Sequence, residues 1–191
     1  MRWIWIDRIL ELERGNRCVA IKNVTSGEDV LHDHFPATDQ RPAVPVMPNT
    51  LIIEGMAQTA GILVGRTGDF REKVILAKIA RADFEAAAYP GFTLRHTAIL
   101  ENFGQGGAAT SGRTELIDPV EGEIRHLAQI DLVFSHIDHA QSGLEFPDHN
   151  FVFTSQFMDL LRESGLDSSD EAILACREQS DTGGSESSRV I

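Results

Sequence analysis

The sequence predicts an α+β fold in which a long antiparallel sheet wraps around one buried helix. Residues 49–64 are apolar on nearly every side, whereas several other segments alternate apolar and polar residues with a period of two. The chain has 191 residues, 42% of them apolar and 24% charged. This composition is typical of a globular protein with a substantial core.

The buried helix is predicted from the run NTLIIEGMAQTAGILV at 49–64. Pro48 and Asn49 are favourable residues for a helix start, and Gly65 is a favourable residue just after a helix end. Because the run offers no polar face, the helix belongs in the protein interior.

The strands are predicted where the alternation is regular or where β-favouring residues lie between turn signals. They are 17–24, 74–80, 92–103, 107–117 and 124–134. The turns between several of them are short, which favours antiparallel neighbours.

The C-terminal part differs in composition from the rest. Phe157, Leu160 and Leu161 recur at helical spacing and predict a short helix over 155–163, after which the chain is rich in Ser, Gly, Asp and Glu. We therefore expect one domain over residues 1–150, and an extension over 151–191 that consists of this helix and a disordered acidic tail.

The net charge of −12 argues against nucleic acid as a partner, because binding phosphates needs a basic surface. Asp7 and Arg8 interrupt the apolar N-terminus too early for a signal peptide, and no window is apolar enough to span a membrane. Cys18 and Cys176 are too few for a disulfide framework or a metal cluster. We therefore expect a cytoplasmic protein without a membrane partner.

Glu54 is the charged residue of the apolar helix, and Gln58 lies one turn later on the same face. A buried carboxylate must be paired, hydrogen-bonded or neutral, because burying a lone charge is very costly. Two interpretations stay open at this point. Glu54 is either a structural residue that is ion-paired or stabilised by the helix dipole, or an acid–base group that exchanges a proton with a substrate.

His34 is the second candidate for chemistry, because Phe35 and Pro36 make a rigid bend beside it that could fix its orientation. The alternative is an ordinary surface histidine. His32 and His34 lack a third ligand at suitable spacing, so no metal site is predicted. Trp3 and Trp5 are interpreted as core or interface residues rather than as walls of a ligand-binding tunnel.

Three short elements together resemble the β-hydroxyacyl-[acyl carrier protein] dehydratases of fatty acid synthesis. They are His34-Phe35-Pro36, Met47-Pro48 and the run LIIEGMAQ at 51–58. The resemblance is to the branch of the family that carries Glu at the position of Glu54, and it extends from about residue 3 to about residue 137. It implies the hotdog fold, which matches the sheet and helix predicted from the residues.

The resemblance also implies a mechanism and a set of site residues. His34 would remove the α-proton of a 3-hydroxyacyl thioester while protonated Glu54 assists departure of the hydroxyl. Asn49, Thr50, Gln58 and Phe35 would contact the substrate, with backbone N–H groups at the helix start holding the thioester carbonyl.

No metal or organic cofactor is implied. The acyl group would arrive on acyl carrier protein. Because His and Glu of one site come from different subunits in this family, the resemblance implies a homodimer or a larger homo-oligomer.

Two departures from the family pattern keep other functions open. The link at 37–46 is longer than in the family, and Asn49 stands where the family has Gly. The alternatives are a hotdog acyl thioesterase and a non-catalytic acyl-binding hotdog protein.

Overall fold

The computed structural model describes residues 3–71, 73–137 and 155–166. Six strands and three helices lie within these ranges. In chain order they are β1 Arg8–Glu13, β2 Arg17–Asn23, α1 Asp29–Asp33, α2 Asn49–Thr67, β3 Lys73–Phe84, β4 Thr93–Gly104, β5 Gly107–Ile117, β6 Ile124–Ile137 and α3 Ser155–Glu163.

The six strands form one sheet in the order β1-β2-β4-β5-β6-β3. Every neighbouring pair is antiparallel, as the sequence predicts. β1 and β2 are joined by a tight turn, and β4, β5 and β6 follow one another as a meander. The chain crosses the sheet twice, between β2 and β3 and again between β3 and β4, and the first of these crossings carries α1 and α2.

α2 is the predicted central helix, and it contacts all six strands. Ile52, Met56 and Leu63 are completely buried between the helix and the sheet. Burying one such side chain contributes about 1.5–3 kcal/mol, so the helix is a large part of the core. This arrangement is the hotdog fold. None of the helices in the described ranges is both long enough and apolar enough to cross a membrane.

α2 ends at Thr67 rather than before Gly65. Gly65 is buried within the helix, and its carbonyl oxygen accepts a hydrogen bond of 2.7 Å from the backbone N–H of Phe70. The chain leaves the helix through left-handed backbone at Asp69 and Phe70, with φ of 55° and 54°. The predicted stop was wrong because a glycine inside a packed helix resembles a terminal glycine in sequence.

β3 is longer than predicted, since it runs on to Phe84. It lies at the edge of the sheet, most of its side chains are exposed, and its pairing with β6 is irregular at Leu76/Lys78 and Ile79/Arg81. An exposed edge strand needs no regular alternation, so its second half gave no period-two signal.

α3 has the limits that the sequence predicts. Met158, Leu160 and Leu161 are buried, and the backbone N–H of Ile9 donates to the Ser164 hydroxyl oxygen at 3.1 Å just after the helix. The helix therefore packs beside β1 against the common core. The expected acidic tail lies outside the described residues, and the division of the chain at residue 150 stays a prediction.

Candidate active site

Glu54 lies at a pocket between α2, β3, β6 and α3, with a volume of about 210 Å³. Its side chain is partly buried. The rest of the pocket wall is mostly apolar and includes Ala57, Ile62, Val74, Leu76, Phe134 and Phe157. A single carboxyl group thus borders a space suited to an alkyl chain.

Two donors hold the Glu54 carboxyl group, and both contact the same oxygen. The indole Nε1–H of Trp3 donates to Glu54 Oε1 at 3.1 Å, and the side-chain amide of Gln58 donates to that oxygen at 2.9 Å. Within the described residues Oε2 has no hydrogen bond from the protein. The geometry therefore anchors one oxygen and leaves the other for a ligand.

Gln58 is itself fixed by the N-terminal segment. Its Oε1 accepts from the backbone N–H of Trp5 at 2.8 Å, and its Nε2 also approaches the carbonyl oxygen of Trp3 at 3.3 Å. The N–H of Trp5 requires an acceptor, and this fixes which end of the amide points towards Glu54. Gln58 is only 7% exposed, so in this structure it orients Glu54, and direct contact with a substrate stays a prediction.

Trp3 is a residue whose role at this site the sequence did not reveal. It is 55% exposed rather than part of the core, and its ring stands edge-on to Trp5 at 5.4 Å between ring centres. The alternating Trp and Ile residues at 3–6 predict apolar contact, but nothing in that pattern shows that an indole N–H reaches Glu54. Of the predicted core or interface role, the core option is wrong, because Trp3 is exposed and lines the Glu54 pocket, whereas the interface option stays a prediction.

His34 lies in a different pocket, with a volume of about 410 Å³. It ends α1, its side chain is exposed, and its ring lies 4.2 Å from that of Phe35 between ring centres. Asn49 and Thr50 line the same pocket. The structure thus groups His34, Phe35, Asn49 and Thr50 in one place, and Glu54 with Gln58 in another.

The start of α2 lies at the His34 pocket, and Glu54 lies further along the same helix. Asn49 and Thr50 are exposed, and in the described chain neither a side-chain cap nor an acidic residue compensates this end of the helix. The first backbone N–H groups of a helix have no partner within it, and they carry the positive end of the helix dipole. The N–H groups at this end can therefore donate hydrogen bonds to a carbonyl oxygen or an anion.

The long link folds back on itself instead of extending the path to α2. The N–H of Val44 donates to the carbonyl oxygen of Phe35 at 3.0 Å, so the two ends of the link meet. Between them, Thr38 and Arg41 form an antiparallel bridge, and the Arg41 guanidinium lies 5.5 Å from the centre of the Phe35 ring. The extra residues are therefore taken up in a closed loop.

His96 lies beneath α2 and is completely buried. Its Nδ1 is 3.0 Å from the Thr114 hydroxyl oxygen, and its Nε2 has no hydrogen-bond partner among the described residues. Burial lowers the pKa of His96 to about 4. A Cβ on Gly55 would lie 2.8 Å from His96 Nε2 and 2.9 Å from the Trp5 carbonyl oxygen, so only glycine fits there.

No group of three His, Cys, Asp or Glu side chains in the described part of the chain is placed to hold a metal ion. Cys18 is free and buried, and burial raises the pKa of its thiol to about 12. Such a thiol is a poor nucleophile at neutral pH. Cys176 lies outside the described residues.

Comparison with known families gives a match to the FabA-like domain over residues 3–106. Three relatives are 3-hydroxyacyl-[acyl-carrier-protein] dehydratases named FabZ. Those of Caldanaerobacter subterraneus, Geotalea uraniireducens and Acetivibrio thermocellus are 42%, 43% and 35% identical over 47%, 49% and 71% of this chain. The matches span 60% and 62% of the length of the first two relatives, and 86% of the third.

Solved structures share the fold at low sequence identity. The dehydratase heterocomplex ApeI:P from Xenorhabdus doucetiae aligns with a TM-score of 0.55 at 14% identity, over 72% of this chain and 86% of that chain. An acyl-CoA hydrolase from Staphylococcus aureus aligns with a TM-score of 0.51 at 15% identity, over 65% of this chain and 67% of that one. The family match and the dehydratase relatives, on a hotdog fold, show that the chain belongs to the FabA-like family of 3-hydroxyacyl-acyl carrier protein dehydratases.

Proposed function

We propose that this protein removes water from 3-hydroxyacyl thioesters carried on acyl carrier protein and forms trans-2-enoyl thioesters, in fatty acid or related lipid or polyketide synthesis. The observation that carries the proposal is the Glu54 carboxyl group, with one oxygen anchored and the other free at the end of an apolar pocket. A purely acyl-binding protein does not require such an oriented carboxyl group. A thioesterase could use one to activate water, but that reaction does not require His34, so the presence of both groups favours the dehydratase.

The mechanism uses two proton transfers. Neutral His34 takes the proton from the α-carbon, and protonated Glu54 delivers its proton to the β-hydroxyl, which leaves as water while the double bond forms. Oε2 is the oxygen that carries this proton, because Trp3 and Gln58 both donate to Oε1. The same two donors stabilise the carboxylate that the transfer leaves behind.

The thioester carbonyl is held at the start of α2. The backbone N–H groups of Asn49 and Thr50 stabilise the negative charge that develops on its oxygen, as other helix N-termini do for anions. Phe35 packs against the His34 ring and limits its rotation. The reaction as written needs no metal or organic cofactor.

His34 and Glu54 line different pockets of one protomer, so we assign the two groups of each site to two subunits of a homodimer. The edge strand β3 supports this assignment, because Ile75, Leu76 and Ile79 are 37–45% exposed along it. Leu76 also lines the Glu54 pocket, so a second copy that covers β3 would lie beside that pocket.

The carrier and the location are part of the same proposal. Acyl carrier protein is the carrier named for the dehydratase relatives. A cytoplasmic location is consistent with the small number of cysteines and with the buried, unpaired thiol of Cys18.

A crotonyl thioester on acyl carrier protein distinguishes the three functions. Reversible hydration to the 3-hydroxyacyl thioester is the expected result. Release of the free carrier thiol without hydration would instead identify a thioesterase, and binding without turnover would identify an acyl-binding protein.

Complementation tests the shared site. We expect His34→Ala and Glu54→Gln each to lower activity by about 10²–10⁴-fold, while His32→Ala, next to the site and exposed, leaves it unchanged. A heterodimer of the two inactive variants, purified through two different tags, keeps one intact site of two and should recover about half of the wild-type activity. A heterodimer as inactive as its parents would contradict the shared site.

A further inference from the structure

α3 adds a wall to the Glu54 pocket from outside the region that matches the family model. The match covers residues 3–106, whereas α3 spans Ser155–Glu163. Phe157 of this helix lines the same pocket as Glu54. A side chain from the C-terminal extension therefore borders the space next to the proton donor.

The position of Phe157 is fixed by the packing of the helix that carries it. Met158, Leu160 and Leu161 are buried in the core, each at most 3% exposed. The Ser164 hydroxyl group accepts from the N–H of Ile9 at 3.1 Å and donates to the carbonyl oxygen of Leu160 at 2.7 Å. The aromatic ring is thus presented by an anchored element.

The pocket has one polar end and an apolar remainder that follows α2. From Glu54 the lining continues through Ala57 to Gly61, seven residues or roughly 10 Å along the helix at ~1.5 Å per residue. Gly61 presents no side chain, and the position of a Cβ there would lie 3.9 Å from the Phe134 ring. Such a channel suits an alkyl chain whose β-carbon lies at Glu54.

We propose that Phe157 is a specificity-determining residue that limits the length of the acyl chain. This inference rests on the proposed dehydratase function. The bulk of the ring takes up part of the apolar channel, so a smaller side chain leaves room for additional methylene groups and a larger one removes room.

The experiment measures kcat/KM for hydration of a series of trans-2-enoyl thioesters on acyl carrier protein, lengthened two carbons at a time from crotonyl. Phe157→Ala should move the preferred length upward, with a gain of about fourfold for each newly accommodated methylene, which corresponds to ~0.8 kcal/mol of burial. Phe157→Trp should move the preference downward. Arg162→Gln, on the exposed side of the same helix, is the matched control and should keep the wild-type profile.

Opposite shifts in the two variants would support the inference, because a general loss of stability lowers activity for every chain length alike. Active variants with the wild-type length profile, or with a uniform loss across all lengths, would overturn the inference and leave the dehydratase function standing. A wild-type protein that hydrates no chain length would overturn the proposed function and this inference with it.

Discussion

The two halves of the candidate site are built in different ways. Glu54 lies on a helix that the whole sheet encloses, and two neighbouring side chains fix the direction of its carboxyl group. His34 lies at the end of a five-residue helix, with an exposed ring that Phe35 contacts from one side. In one half neighbouring side chains fix the functional group, and in the other the ring is exposed.

Glu54 and His34 therefore differ in how much structural support their side chains need. A carboxyl group on an apolar helix needs donors to hold it. The N-terminal segment supplies one of them, Trp3, and fixes the other, Gln58 of α2, through the backbone N–H of Trp5. An exposed imidazole needs no such support in the isolated chain. We therefore expect changes near Glu54 to affect the stability of the protein, and changes near His34 to affect its activity with little loss of stability.

Acid should lower the free energy of unfolding through His96, which is buried beneath α2 near Glu54. Burial lowers the pKa of His96 to about 4 from an unfolded value of about 6.5, so below pH 6.5 the unfolded chain binds a proton that the folded chain does not. The stability that the folded protein gains from keeping His96 neutral is fully present above pH 6.5. As the pH falls towards 4, the free energy of unfolding decreases by about 1.4 kcal/mol per pH unit and by about 3 kcal/mol in total.

Urea unfolding at a series of pH values, followed by circular dichroism, measures this loss. His96→Gln removes the titrating group, and its free energy of unfolding should fall less steeply between pH 6.5 and 4. Both proteins share all other titrating groups, so equal slopes would show that His96 does not carry the effect.

Gly55→Ala, next to Glu54 on α2, should destabilise the protein by about 1–3 kcal/mol. The added methyl group would lie less than 3 Å from His96 Nε2 and from the Trp5 carbonyl oxygen. The free energy of unfolding in urea measures the change. Gly27→Ala is a suitable control, since a Cβ there has only one neighbour within 4 Å, at 3.8 Å. Equal stability of the two variants would mean that α2 tolerates movement away from His96.

Arg41→Ala should change the free energy of unfolding by no more than about 0.5 kcal/mol, since the side chain is exposed and its contact with the Phe35 ring is a surface cation–π interaction. The same urea titration provides the measurement. A loss above about 1 kcal/mol would place the loop among the stabilising parts of the fold and remove the contrast between the two halves.

The sequence predicts the fold well where a pattern is local. The uniformly apolar run at 49–64, the alternation in β4 and β6, and the turn signals around β5 identify the central helix and most of the sheet. The predictions were less accurate at Gly65, where a glycine buried within the helix has the same sequence signature as a helix end. They were also less accurate along β3, where exposure removes the alternation. Both errors arise because tertiary context overrides a local signal.

The candidate site is only partly accessible to such reasoning. Glu54 and His34 stand out by residue type and by the motif around them. The bond between Trp3 and Glu54 joins residues 51 positions apart, and Phe157 reaches the pocket from α3, more than 100 residues beyond Glu54. Neither contact produces a periodic pattern in the sequence, because each depends on how separate helices, strands and loops pack together.

The loop between Phe35 and Val44 bears on how such proteins diverge. Its two ends are joined by a backbone hydrogen bond, so residues can be added or removed between them without changing the connection from His34 to α2. The entropy cost of closing a flexible loop rises only with the logarithm of its length, about 0.6 kcal/mol for each doubling. Changes in loop length at this point therefore have little effect on the stability of the fold. An insertion here can add surface contacts while the positions of His34 and of the start of α2 stay unchanged.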